Sequence, residues 1–94
     1  MKGLTIVSEN CLRLVCKDSV HYLYRDKIVD MCMDTVVYDD WSYTPCLKIF
    51  ERKKFLGIIP YKKCTIQLNS TSPNGNIREV FSMLYEWWKF NKEF

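Results

Sequence analysis

The sequence predicts one small α+β domain, in which an antiparallel sheet is covered by a long C-terminal helix. Up to residue 68, apolar and polar residues alternate with the two-residue period of β-strands. Residues 76–94 change to the period of an amphipathic helix. The chain has 94 residues, of which 48% are hydrophobic and 15% aromatic, which is enough for one packed core and too short for two. We therefore predict a single domain over 1–94, strand-rich at 4–68, with a loop at 69–75 and a helix at 76–94.

About six or seven short strands are predicted before the loop. Residues 5–7 form the first, and 11–25 form a hairpin around a polar turn. The segment 28–38 is a longer strand, for which a helix over 28–34 is the alternative. One face of this strand avoids the aspartates and is the predicted core side, with Val29, Met31, Met33, Thr35 and Val37.

A second hairpin is predicted over residues 46–64. Leu47 and Ile49 alternate with Lys48, so they point inward. Pro60 has no N–H to give to a strand ladder, and it therefore marks an edge strand, a bulge or a corner.

The C-terminal helix is the element that the sequence specifies best. Asn76 followed by Glu79 is a capping-box pattern. At about 100° per residue, one stripe of the helix is apolar and predicts the core face: Ile77, Val80, Phe81, Leu84, Trp87 and Trp88.

The flank of the same helix carries further apolar residues, so the helix is more apolar than one sheet requires. Aromatic and Met side chains are typical of interface cores. We therefore predict a surface that binds a protein partner or a second copy of the chain, made of Met83, Trp87, Phe90 and Phe94. The alternative is that a loop such as 41–46 covers this flank.

The order of elements, several short strands and then one long helix, resembles the pleckstrin-homology-like architecture. That resemblance implies a bent sheet or partly open barrel, closed at one end by the helix. No motif specific to a family accompanies the order of elements. A flat antiparallel sheet with one packed helix is the alternative.

Basic residues gather on the 46–64 hairpin, with Phe50, Phe55 and Tyr61 between them: Lys48, Arg52, Lys53, Lys54, Lys62 and Lys63. Phosphate contacts from these side chains, with bases stacked on the rings, would make a nucleic-acid interface. The same positions could meet anionic lipid headgroups. Protection of an edge strand from pairing is the structural alternative. The net charge of +3 is mild for a nucleic-acid-binding protein.

No pattern predicts catalysis, a metal or a cofactor. The one histidine, His21, has no nucleophile motif beside it, and the five cysteines lack the spacing of a zinc site. The acidic cluster Asp26, Asp30, Asp34, Asp39 and Asp40 could hold Mg²⁺ or do acid–base chemistry, but a solvated face is the commoner role. We expect a non-enzyme.

The cellular setting is predicted from composition. No apolar stretch has the length of a membrane span, and the N-terminus becomes polar too early for a secretory signal. The odd number of cysteines then favours free thiols in a reducing cytoplasm. The chain has no alanine and is rich in Lys, Ile and Asn, which is typical of AT-rich coding sequences. A bacterial or phage protein, such as an inhibitor encoded by a phage or mobile element, is one interpretation. The predicted function is a non-enzymatic module that binds a macromolecule.

Overall fold

The part of the protein that the structure describes folds as six antiparallel strands and one helix, which confirms the α+β class. The computed structural model describes residues 3–72 and 74–93. The elements are β1 (Leu4–Ser8), β2 (Cys11–Val15), β3 (Val20–Tyr24), β4 (Ile28–Val37), β5 (Tyr43–Phe55), β6 (Ile59–Leu68) and α1 (Ile77–Phe90).

The first sheet has the order β1-β2-β3, and it contains the hairpin predicted over residues 11–25. Leu12 and Leu14 are fully buried, and Leu23 joins them from β3. Arg13, between the two leucines, is exposed. The observed alternation is that of a sheet with one face in the core and one in solvent.

The second sheet has the order β4-β5-β6 and is built around the 13-residue strand β5. Leu47 and Ile49 are fully buried, as predicted. Pro60 lies in β6, which is an edge strand of the sheet, one of the positions predicted for a residue without an N–H. The strands therefore divide into two open sheets instead of one flat sheet, because the short turn 25–27 leads from β3 into β4 without pairing them. Two open sheets of six strands do not establish the pleckstrin-homology-like closure.

Strand β4 is confirmed as a strand, but its predicted core face is partly wrong. Ile28 and Met31 are both buried, although a regular strand would point them to opposite faces. The register shifts between Ile28 and Asp30, so one extra residue, Val29, is inserted there as a β-bulge. At the other end of the strand Val37 is 61% exposed, because only the first half of β4 contributes buried residues to the core.

Helix α1 begins as predicted and ends earlier than predicted. Asn76 is the N-cap, and its side-chain oxygen accepts a hydrogen bond of 2.9 Å from the Glu79 N–H. The helix ends at Phe90 because Asn91 adopts a left-handed conformation (φ 52°), from which its N–H bonds back to the carbonyl of Trp87. The prediction of a helix through residue 94 is therefore wrong at its C-terminal end, and Phe94 lies outside the described residues.

The core lies where the apolar faces of both sheets meet the helix. Val80, Leu84 and Trp87 are at most 1% exposed, and they pack with leucines of the first sheet and with Leu47 and Ile49 of the second. Burial of apolar surface stabilises a fold by about 25 cal/mol per Å². The apolar surface buried in common against the helix therefore holds together the two sheets, whose strands do not pair with each other.

The loop before the helix is held against the end of β2. Asn74 is 3% exposed and donates a 2.6 Å hydrogen bond to the carbonyl of Val15. Gly3 lies directly beneath this contact, where an added Cβ would collide with the Asn74 side chain and lie 2.5 Å from the Val15 oxygen. Glycine is therefore required at position 3, because the side chain of Asn74 in the loop before the helix approaches its backbone too closely for a Cβ.

Candidate functional site

The structure removes Trp87 from the predicted partner-binding flank. Trp87 is 1% exposed, because it lies one turn after Leu84 on the core stripe. The guanidinium of Arg25 covers the ring at 4.6 Å from its centroid. Trp87 therefore belongs to the core, as the apolar stripe of the helix predicts, and its second assignment, to the partner-binding flank, is wrong.

Arg25 also closes the C-terminal end of the helix. Its Nη2 donates to the carbonyl of Trp87 (3.1 Å) and to Oδ1 of Asn91 (2.7 Å), and its Nη1 donates to the carbonyl of Glu9. A cation at this position also interacts favourably with the negative end of the helix dipole. These contacts tie the helix end to the first sheet.

Of the three members of the predicted flank that the structure describes, one is clearly on the surface. Phe90 is 72% exposed, whereas Met83 is half-buried and packs against the core. Phe94 lies outside the described residues. Among the flank residues that the structure describes, only the ring of Phe90 is largely exposed.

The β5–β6 hairpin extends beyond the sheet that carries it. Pairing of β4 with β5 stops at Ile28 and Glu51, but β5 and β6 remain paired out to Phe55 and Ile59. We call residues 52–63 the hairpin arm. Its outer part is a two-stranded ribbon without a third strand beside it.

The end of the arm is a tight turn with a bulky residue in a strained position. Leu56 (φ 54°) and Gly57 (φ 72°) both have positive φ, and the Ile58 N–H bonds to the carbonyl of Phe55 at 3.1 Å. Consecutive positive φ angles indicate a type I′ turn, whose first position favours Asn, Asp or Gly. A leucine in this left-handed conformation raises the conformational energy of the backbone, whereas a glycine would not. This turn has no local signal in the sequence, because the usual Asn-Gly pair is absent.

The side chains around this turn form an exposed apolar surface, which we call the apolar tip: Phe55, Leu56, Ile58 and Ile59. Their exposed fractions are 58%, 79%, 78% and 57%. Sequence reasoning missed this surface, because the segment has the composition of an ordinary strand. The apolar tip is uncovered because β4 begins at Ile28, opposite Glu51, and does not run beside the outer part of the hairpin.

The six basic residues predicted on this hairpin fall into two groups. Lys48 and Lys62 pair with Asp34 (2.9 Å) and Asp30 (3.3 Å) across the outer face of the sheet. The others are exposed and have no salt bridge within the described part of the chain: Arg52, Lys53, Lys54 and Lys63. The hairpin arm therefore keeps a local excess of positive charge around the apolar tip.

The acidic cluster is divided among structural contacts. The hydrogen bond from Lys48 lowers the pKa of Asp34, and the same hydrogen bond raises the pKa of Lys48. Asp40 accepts from the N–H and hydroxyl of Ser42, which lowers its pKa and shapes the β4–β5 turn. Asp26 accepts from Asn10 at 2.8 Å. Among residues 3–72 and 74–93, no group of three His, Cys, Asp or Glu side chains could hold a metal ion.

The β4–β5 turn carries an exposed aromatic residue that no prediction from the sequence assigned to a binding surface. Trp41 is 86% exposed and has φ 66°, at a position where such turns usually place glycine. Its neighbours are Asp39 and Asp40, so the local charge is negative. It lies at the opposite end of β5 from the apolar tip.

The structure brings a hydroxyl and the imidazole together at the β2–β3 turn. His21 Nε2 lies 2.9 Å from Ser19 Oγ. Within the described residues no second side chain is hydrogen-bonded to the imidazole to orient it as a general base. Nearby Cys16 is buried, and burial raises its pKa, which disfavours the reactive thiolate. All five cysteines are free.

A cavity of about 300 Å³ lies at the base of the hairpin arm and is lined by residues of β4, β5 and β6. Its lining includes Arg52, Tyr61 and Lys62, with Asp30 opposite. Since Lys62 is paired with Asp30, Arg52 is the lining cation without a salt bridge in the described part of the chain.

Comparison of the chain with protein-family models, curated proteins and solved structures gives no match. In the described segments, no helix has the length and apolar character needed to cross a bilayer.

Proposed function

We propose that this protein is a non-enzymatic binding module and that the hairpin arm is its contact element. The observation that carries the proposal is the apolar tip, in which four large apolar side chains are more than half exposed at the end of a projecting ribbon. An exposed apolar patch edged by polar residues is typical of an interaction site.

The backbone at Leu56 supports the same proposal. A non-glycine residue in the left-handed region costs about 1–2 kcal/mol, and this one recovers little by burial because it is 79% exposed. Strain that brings no packing is found at functional positions. A Leu at this site is better explained by contact with a partner than by stability of the free protein.

The shape of the arm favours a macromolecular partner. Small-molecule sites are concave and enclose most of their ligand. The outer arm is a convex ribbon with its apolar side chains around the turn, so a partner has to receive the arm. The pleckstrin-homology-like resemblance stays a proposal as well, supported by the order of six strands and a terminal helix.

The test compares binding by the wild type with binding by an arm variant, Leu56→Asn/Ile58→Thr, and a control variant, Val37→Thr. Val37 is 61% exposed at the far end of β4, so its substitution removes an exposed apolar group away from the arm. Binding is measured in parallel to lipid vesicles, to DNA and RNA, and to proteins of the source cell. We expect the arm variant alone to lose its partner. If the arm variant binds every partner as the wild type does, the hairpin arm is not the contact element.

A second candidate is self-association or protein binding through the helix flank, which the exposure of Phe90 favours. Phe90→Glu should then convert an oligomer to a monomer, as measured by size exclusion with light scattering, without changing the thermal midpoint. A wild-type monomer at high concentration would count against self-association.

Nucleic-acid binding by the arm is the remaining candidate, favoured by the exposed Arg52, Lys53, Lys54 and Lys63. Phosphate contacts release counterions, so affinity for DNA or RNA should fall steeply as salt rises. Absence of binding at low salt would exclude this candidate.

A further inference from the structure

We infer that the hairpin arm docks on an anionic lipid bilayer surface, with the apolar tip in the interfacial layer and the basic residues of the arm against the headgroups. The inference rests on the proposed function and names its partner. It is carried by the chemistry of the tip, the spacing of the cations behind it, and the charge of the arm.

The apolar tip has no side chain that can hydrogen-bond. Residues 55–59 read Phe-Leu-Gly-Ile-Ile, without a polar side-chain atom in the segment. Readout of bases requires donors and acceptors aimed at their edges. A partner that receives this end of the arm has to be apolar where the tip enters, as the acyl region of a bilayer is.

The cations lie at the depth where headgroups would be. Phe55 and Ile59 form the last cross-strand pair, and Lys54, Lys53 and Arg52 follow one, two and three residues behind Phe55. At a strand rise of about 3.3 Å per residue, these positions are roughly 3–10 Å behind the pair. Interfacial segments bury their apolar side by about 5–10 Å, so the basic side chains reach the phosphate layer when the tip is inserted.

Tyr61 adds an aromatic side chain at the same level. It pairs with Lys53 across the ribbon and is 46% exposed. Tyrosine is enriched where membrane and water meet, because its ring is apolar and its hydroxyl is polar.

The charge of the arm selects an anionic surface over a second copy of the chain. Arg52, Lys53, Lys54 and Lys63 are exposed and lack salt bridges within the described residues. Two arms meeting tip to tip would bring these like charges together. An anionic bilayer attracts them, and each basic residue near its surface strengthens binding by about fivefold.

The experiment is flotation of the whole protein with phosphatidylcholine vesicles, with and without phosphatidylserine. Four proteins are compared: wild type, the tip variant Leu56→Asn/Ile58→Thr, the charge variant Lys53→Gln/Lys54→Gln, and the control Val37→Thr. Asn before Gly57 preserves the turn, and Thr in place of Ile58 keeps a β-branched side chain next to β6, so the tip variant loses apolar surface without losing the hairpin. Circular dichroism checks that each variant is folded.

We expect the wild type and the control to bind vesicles that contain phosphatidylserine. The tip variant should bind at least about tenfold more weakly, since the lost apolar surface no longer leaves water. The charge variant should bind about 25-fold more weakly, because two cations are removed.

Three results would overturn the inference: no binding of the wild type to anionic vesicles, equal binding to neutral ones, or equal binding by the tip variant. If the tip variant, Leu56→Asn/Ile58→Thr, instead loses binding to DNA, RNA or a protein, the lipid assignment fails while the hairpin arm stands as the contact element. If this variant loses no partner at all, the lipid assignment and the proposed contact element both fail.

Discussion

Replacing Leu56 by Asn should make the protein more stable, although it removes a large side chain. Leu56 has φ 54°, and a left-handed conformation costs a residue with a bulky Cβ substituent about 1–2 kcal/mol. Asn before Gly is the preferred pair for a type I′ turn. Since Leu56 is 79% exposed, little packing is lost. We expect Leu56→Asn to raise the free energy of unfolding by about 1 kcal/mol, or the thermal midpoint by about 4–8 °C for a domain of this size.

The matched control is Leu56→Ala, which also removes the leucine side chain but lacks the short polar group that lets Asn adopt the left-handed region. Its free energy of unfolding should stay within about 0.5 kcal/mol of the wild type, as for most surface substitutions. Urea unfolding followed by tryptophan fluorescence measures all three proteins. The difference between the Asn and Ala variants isolates the backbone effect. Equal stability of the two variants would refute a strained turn at this position.

This prediction also separates stability from function at one residue. If the hairpin arm is the contact element, the more stable Asn variant should bind its partner more weakly. Such trade-offs are expected where a strained or exposed residue is kept for binding. A variant that gains stability and keeps full binding would leave Leu56 without a role in contact.

Three further predictions test the core, an ion pair and a close approach. Trp87→Ala should lower the free energy of unfolding, measured in urea, by about 3–5 kcal/mol, as for other buried aromatic residues. Phe90→Ala should change it by less than about 0.5 kcal/mol, and similar losses in the two variants would contradict the assignment of Trp87 to the core and Phe90 to the surface. The folded pKa of Asp34 is lowered by Lys48, so its contribution to stability is present above the unfolded value near pH 4 and is lost as pH falls through the folded value. Asp34→Asn should therefore weaken the pH dependence of the thermal midpoint below about pH 4, and an unchanged acid slope would show that the pair does not persist in solution. Gly3→Ala should lower the free energy of unfolding by about 1–3 kcal/mol, because a Cβ has no space beneath the loop, and a stability equal to the wild type in the same urea assay would rule out that approach.

Much of the fold could be predicted because its signals are local. The alternation around Leu12 and Leu14 is enough to place a half-buried strand, and Asn76 with the first helical turn is enough to place a helix start. The errors occur where a local pattern competes with a distant contact. Ile28 joins the core only through the bulge against β5, and the helix ends at Phe90 only because Asn91 turns left-handed beside Arg25.

The candidate site was predicted only in part. The basic residues of the hairpin are visible in the sequence, but two of them, Lys48 and Lys62, are neutralised by aspartates of another strand. Trp87 and Phe90 share an apolar flank on a helical projection, but in the tertiary structure Trp87 packs in the core under Arg25, whereas Phe90 stays exposed.

By itself the sequence determined the α+β class, the antiparallel hairpins, the N-cap at Asn76 and the basic character of residues 46–64. These features depend on periodicity, backbone preference and composition, which act over a few neighbouring residues. Only the tertiary structure decided that two sheets share one helix, that Trp87 takes no part in an exposed flank, and that the hairpin arm ends in an exposed apolar tip. The tip is exposed because no strand covers it. The strand that could have done so, β4, begins at Ile28, more than twenty residues before the tip along the chain.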